Sequence, residues 1–157
     1  MEDACKLRGW AHWEHIRDGK IIDTRDVPNA ITNLGKAETA YLMGVASNGT
    51  RLPFTYIALG LGTTAATATD TALGSEITTS GGGRSAATVS QQTTTVAGDT
   101  NQLTHTFTFN ASGTFAITES AVFNSTTGGP MLCRQTFAAI NVVSADTLAV
   151  TWKVAVA

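Results

Sequence analysis

The stretch HWEH brings His12, Glu14 and His15 together, and imidazoles beside a carboxylate can ligate a metal or move protons near neutral pH. On a helix His12 and His15 would share a face, whereas on a strand they point to opposite sides. Asp18-Gly19 marks a turn, and Trp10, Trp13, Ile16, Ile21, Ile22 and Val27 flank it, so residues 8–27 read as a β-hairpin. On that strand the cluster is a polar-aromatic face. Cys5 would complete a three-ligand set only if the N-terminal tail folded back.

A second stretch, YIALGLGTTAATATD, has the spacing of a dinucleotide-binding loop in Gly60-x-Gly62-x-x-Ala65. That loop works because a strand feeds straight into a helix whose first amides hold pyrophosphate. Here Gly62 is followed by a β-branched run with no apolar stripe and no βαβ unit around it, so no nucleotide is expected. The glycines read instead as a sharp turn at a sheet edge.

The remaining candidates are single residues. His105, between Leu103 and Phe107, reads as a satisfied core or interface histidine. Glu119 lies among the apolar residues of FAITESAVF and needs a cation, which Arg134 or Lys153 could supply. No serine sits in a G-x-S-x-G elbow, and neither a P-loop nor zinc-ligand spacing occurs. The sequence therefore predicts no enzyme, no cofactor and no metal.

The elements that position these residues are mostly strands. After the hairpin, one helix is expected over residues 29–46, with Pro28 at its entrance, an apolar stripe of Ile31, Leu34, Tyr41, Leu42 and Val45, and SNG at its exit. From residue 53 onward the pattern has period two. FTYIALG ends at Gly60; LTHTFTF aligns Leu103, His105, Phe107 and Phe109. FAITESAVF aligns Phe115, Ile117, Ala121 and Phe123, and MLCRQTF aligns Met131, Cys133 and Phe137. TLAVTWKVAV aligns Leu148, Val150, Trp152, Val154 and Val156. Turn-rich links such as NSTTGGP and VSAD join them. The expected fold is mainly β: an antiparallel β-sandwich or jelly-roll-like domain with an N-terminal hairpin and one helix. Residues 1–16 form an arm or first strand, and 17–157 a single domain. Residues 63–101, broken at Gly81-Gly82-Gly83, form a Thr/Gly-rich loop or arm with weak edge-strand patterning over 85–97.

Composition narrows the partners. Of 157 residues only 14% are charged and the net charge is −2, against about 25% charged in a typical soluble domain. No basic run supplies a nucleic-acid footprint, and no apolar stretch is long enough for a membrane helix. The start MEDACKLRGW is polar, so no secretory signal is expected, and the sequons at Asn48, Asn110 and Asn124 read as turn residues. The two cysteines, Cys5 and Cys133, are expected as idle thiols, with a disulfide between them left open.

Several of these stretches carry a family resemblance. YIALGLGTTAATATDTALGSEI resembles a segment of tailed-bacteriophage virion proteins in which an ALG-x-G turn precedes DT-x-LG-x-E. FAITESAVFNSTTGGPMLCRQTFAAINVVSADTLAVTWKVAV is similar to the same group, through I-x-E, FN, a Gly turn, ML-x-R and DTL-x-VTW. RDGKIIDTRDVPNAITNLGKA fits too, and the likeness spans about residues 17–156. The resemblance implies a virion building block, made in the host cytoplasm and without catalytic residues. Its leading form is a capsid decoration (cement) protein, binding the major capsid protein lattice as a homo-oligomer such as a trimer. The alternative is a tail- or fibre-associated structural or adhesion protein. Residues 1–16 and 63–101 are the expected intermolecular contacts, with Trp10, Trp13 and Arg84 as interaction residues; the bland alternative packs both tryptophans on the domain's own helix.

Overall fold

The computed structural model describes residues 6–44, 51–110 and 114–157, so Cys5, Val45, Asn48 and the SNG exit lie outside the described residues. Strand β1 (Leu7–Arg17) turns into β2 (Lys20–Pro28) at Asp18-Gly19. Both turn residues have positive φ, 50° and 71°, which a two-residue hairpin with the natural strand twist requires. The chain crosses to a second sheet through β3 (Ala30–Ile31), α1 (Asn33–Gly44), β4 (Tyr56–Gly60) and β5 (Ser85–Ala86). It returns as β6 (Thr88–Gln92) and β7 (Thr100–Thr108), crosses again as β8 (Phe115–Phe123) and β9 (Met131–Val142), and ends in β10 (Thr147–Val156).

The first sheet has the order β2-β1-β10-β7-β6 and the second β3-β9-β8-β4-β5, with every pairing antiparallel. The protein is a β-sandwich, as its alternation predicts. Of the segment expected as an arm or first strand, residues 7–16 are strand, and they lie inside the sheet: β1 pairs with β10 from Leu7↔Val156 to Ile16↔Thr147. Between the sheets lie Trp13, Leu103, Phe107, Leu148, Val150 and Trp152, facing Ile57, Leu59, Ile117, Val122, Cys133 and Ile140. Trp13 meets the Phe137 ring at 4.3 Å and the Trp152 ring edge-on at 6.0 Å. The Trp152 indole donates to the Ser120 hydroxyl at 3.2 Å, which satisfies a polar atom in the core.

Two expectations need correction. The helix starts at Asn33, not 29: Pro28 ends β2, Ala30–Ile31 pairs with β9, and Thr32 caps the helix by accepting the Gly35 amide at 2.8 Å. Its buried face is Gly35 and Glu38, while Leu34 and Leu42 of the expected apolar stripe are exposed, as is Met43. The helix rests on β9 through Gly35, where a Cβ would lie 2.3 Å from the Leu132 carbonyl, so only glycine permits this approach.

The second correction concerns β8 and β9. A bulge between Ile117 and Glu119 changes the phase of both strands. Phe115 and Ile117 face the core with Val122, but Ala121 and Phe123 join Met131, Ala58 and Leu73 in a separate cluster on the other side of the sheet. The expected alignment of Ile117 with Phe123 therefore does not hold, and a second register shift, between Val122 and Phe123, separates Met131 from Cys133. Residues 61–84 supply the cover for that second cluster. This Thr/Gly-rich stretch folds down over the second sheet and buries Leu73 there, while Ile77 reaches the core between the sheets. Among the described residues the result is an asymmetric sandwich: the second sheet is covered on both faces, and the first keeps one face open.

Candidate functional site

Ionic contacts fix the covering loop. Glu119 accepts the amides of Gly62 (2.8 Å), Gly74 (3.0 Å) and Ser75 (2.8 Å), and Arg134 donates to it at 2.9 and 2.7 Å. Arg134 also reaches Asp70 at 2.7 Å and the Thr64 carbonyl at 3.1 Å. Burial alone would raise the Glu119 carboxyl, but the three amides and Arg134 hold it below the usual range. Of the two cations the sequence offered, Arg134 is the partner. Gly60 and Gly62 have a plain purpose here: a Cβ on either would lie within 2.5 Å of Glu119 Oε1. Gly62 is followed by loop, not helix, so the dinucleotide reading finds no helix N-terminus.

Arg84 forms a second tie. It donates twice to Glu76, at 2.8 and 2.7 Å, and to the Ser125 and Gly128 carbonyls, with its guanidinium 3.6 Å above the Phe123 ring. Its donors are thus committed within the chain. Trp13, the second expected interaction residue, is wholly enclosed between the sheets and presents nothing to a partner; it packs on strands, not on the helix.

The HWEH residues separate as a strand requires. His15 faces inward and meets Asp146 at 2.8 Å, and Arg17 clamps the same carboxylate at 2.8 and 2.7 Å, tying β1 to the β9–β10 turn. These contacts, led by Arg17, hold the Asp146 carboxyl far below its ordinary range. His12 faces outward between Asp26 (2.9 Å) and Glu14 (3.3 Å). Partial burial lowers its pKa, but the two carboxylates outweigh that and raise it overall. His105 packs edge-on to Phe107 at 4.6 Å, and burial pushes its pKa down. Among the described residues, no three His, Cys, Asp or Glu side chains are grouped to hold a metal ion. Cys133 is buried, and its thiol is pushed up by desolvation.

Two open surfaces of the described residues are candidates for binding. The outer face of the first sheet presents cross-strand rows: Pro28, Trp10, Lys153, Gln102 and Ser90 in one, and Asp26, His12, Thr151, Thr104 and Thr88 in the next. Trp10, His12, Asp26, Gln102, Thr151 and Lys153 line a groove of about 390 Å³ on it. The sequence supplied Trp10 and His12 but not the others. A plain count from Asp18-Gly19 sets His12 opposite Arg25; a bulge at His15/Ile16 shifts the register and brings Asp26 there. At one end of the sandwich lies an apolar groove of about 360 Å³, with Leu7, Leu42, Pro53, Val89 and Val156 in its lining.

No family model, curated protein or solved structure matches this chain.

Proposed function

We propose that this protein is a structural component of a tailed-bacteriophage virion, and more narrowly a capsid decoration protein. In this reading it binds the assembled major capsid lattice as a homo-oligomer and acts without catalysis. The observation that carries the reading is the apolar groove at the sandwich end. Val156 and Val89 are 50% and 43% exposed there, beside Leu42 and Pro53, and grouped exposed apolar residues mark protein contact sites. The virion-like segments support it as well: YIALG is β4, and DTALGSE is the part of the covering loop that Glu119 grips. A protein that binds the lattice and not free subunits stabilises the lattice by mass action.

The alternative, a tail- or fibre-associated adhesion protein, is favoured by the Trp10 groove. Phage particles assembled without this chain decide between them. Loss of heat resistance, with a copy number matching the capsid lattice, supports decoration; unchanged resistance, with a copy number set by tail symmetry, removes it. The double variant Leu42→Asp, Val156→Asp should fold normally but fail to sediment with particles.

A further inference from the structure

We propose that the outer face of the first sheet is a saccharide-binding site, in which a pyranose ring stacks on Trp10. Trp13 and Trp152 are completely buried, whereas Trp10 stands part-exposed on the solvent side of a central strand. Thr151 lies diagonal to it, small enough to form a floor, while Trp10, Lys153 and Gln102 rise beside it in one cross-strand row. His12 and Asp26 close the other side, held to each other at 2.9 Å.

This combination matches a sugar's own chemistry. A pyranose has an apolar C–H face, which suits an indole, and a rim of hydroxyls that both donate and accept. The groove offers a carboxylate and an amide oxygen as acceptors, and an ammonium, an amide N–H and a hydroxyl as donors. Lys153 balances Asp26, and His12, when protonated, is balanced by Glu14 beside it, so no strong field favours a phosphate or a cation. Its volume of about 390 Å³ falls within the range of small-ligand sites. A shallow depression of about 290 Å³ shares Thr151 and continues the surface through Thr104, Thr106 and Thr88, so the fitting ligand is an oligosaccharide lying across the strands. The site stands on β1 and β10, paired along their length, and is therefore rigid before ligand arrives. It does not depend on where in a particle the protein sits.

The purified full chain is titrated with cellohexaose, chitohexaose, mannohexaose and an oligogalacturonate at up to millimolar concentration. The readout is acrylamide quenching of tryptophan fluorescence. Because the other two indoles are buried, the quenchable signal belongs to Trp10. At least one saccharide should protect it. Calorimetry should show binding weakened about tenfold by Trp10→Ala and severalfold by Gln102→Ala, with Thr24→Ala, on the same face outside the groove, unchanged. Should Trp10→Ala fail to fold, Gln102→Ala carries the test. No protection by any of the four, or wild-type affinity in both groove variants, overturns the proposal.

Discussion

Arg134 and Glu119 meet through two hydrogen bonds, at 2.9 and 2.7 Å, with side-chain exposures of 3% and 0%. Their strands are neighbours, but the pair's purpose lies outside the sheet. Together they hold residues 61–76 by backbone amides, a carbonyl and Asp70. The carboxylate is fully supplied with donors, which is the condition under which a buried ion is tolerated.

Replacing Glu119 by Gln leaves the Arg134 charge buried with Asp70 as its sole carboxylate. The expected cost is about 3–5 kcal/mol, the range for breaking one partner of a buried pair. Urea unfolding measures it, and limited proteolysis should cut within residues 61–76 faster than in the wild type. A midpoint within error of the wild type would show that the clamp contributes nothing.

Gly62→Ala tests the glycine separately. The new Cβ would lie 2.5 Å from Glu119 Oε1 and 2.8 Å from its carboxyl carbon, and that side chain is pinned by its five hydrogen bonds. The expected loss is about 1–3 kcal/mol. In a Glu119→Ala background the same change should cost much less, because the clashing group is gone; additive losses would contradict that coupling.

His12 predicts a pH signature. Its pKa is raised in the fold, because Asp26 and Glu14 together outweigh burial, so the folded state binds the proton more tightly than the unfolded chain. The resulting stabilisation is fully present below the unfolded value of about 6.5 and is lost as pH rises through the folded one. With solvent screening it amounts to under about 1 kcal/mol. The wild type should therefore exceed His12→Gln in stability at pH 5.5 to 6 by more than at pH 8 to 9 (about 25 °C, low salt), read by thermal melts. A constant difference across that range would exclude the linkage.

Much of the architecture was legible in local sequence. Asp18-Gly19 fixed the hairpin because two positive-φ residues suit that turn. Period-two alternation located β7 and β10 with their inward residues, apart from Val156 at the exposed end of β10, since their phase never changes along the chain. The helix was legible only in outline: Leu34 and Leu42 have helical spacing, but whether a stripe is covered depends on what packs there, and the side seated on β9 is the one that carries Gly35 and Glu38.

The candidate sites were legible as parts. Local sequence determined that His12 and His15 would diverge, that Glu119 required a cation and that no helix follows Gly62, because all three follow from strand geometry and the cost of unpaired charge. Tertiary structure decided which cation, which glycine needed the space and which residues surround Trp10. Asp70, Glu119 and Arg134 meet only after the loop folds back, and the bulges at residues 15–16 and 117–119 reassign whole faces. A one-residue slip reverses every side chain beyond it, and such a slip is set by pairing with a distant strand that local sequence cannot specify.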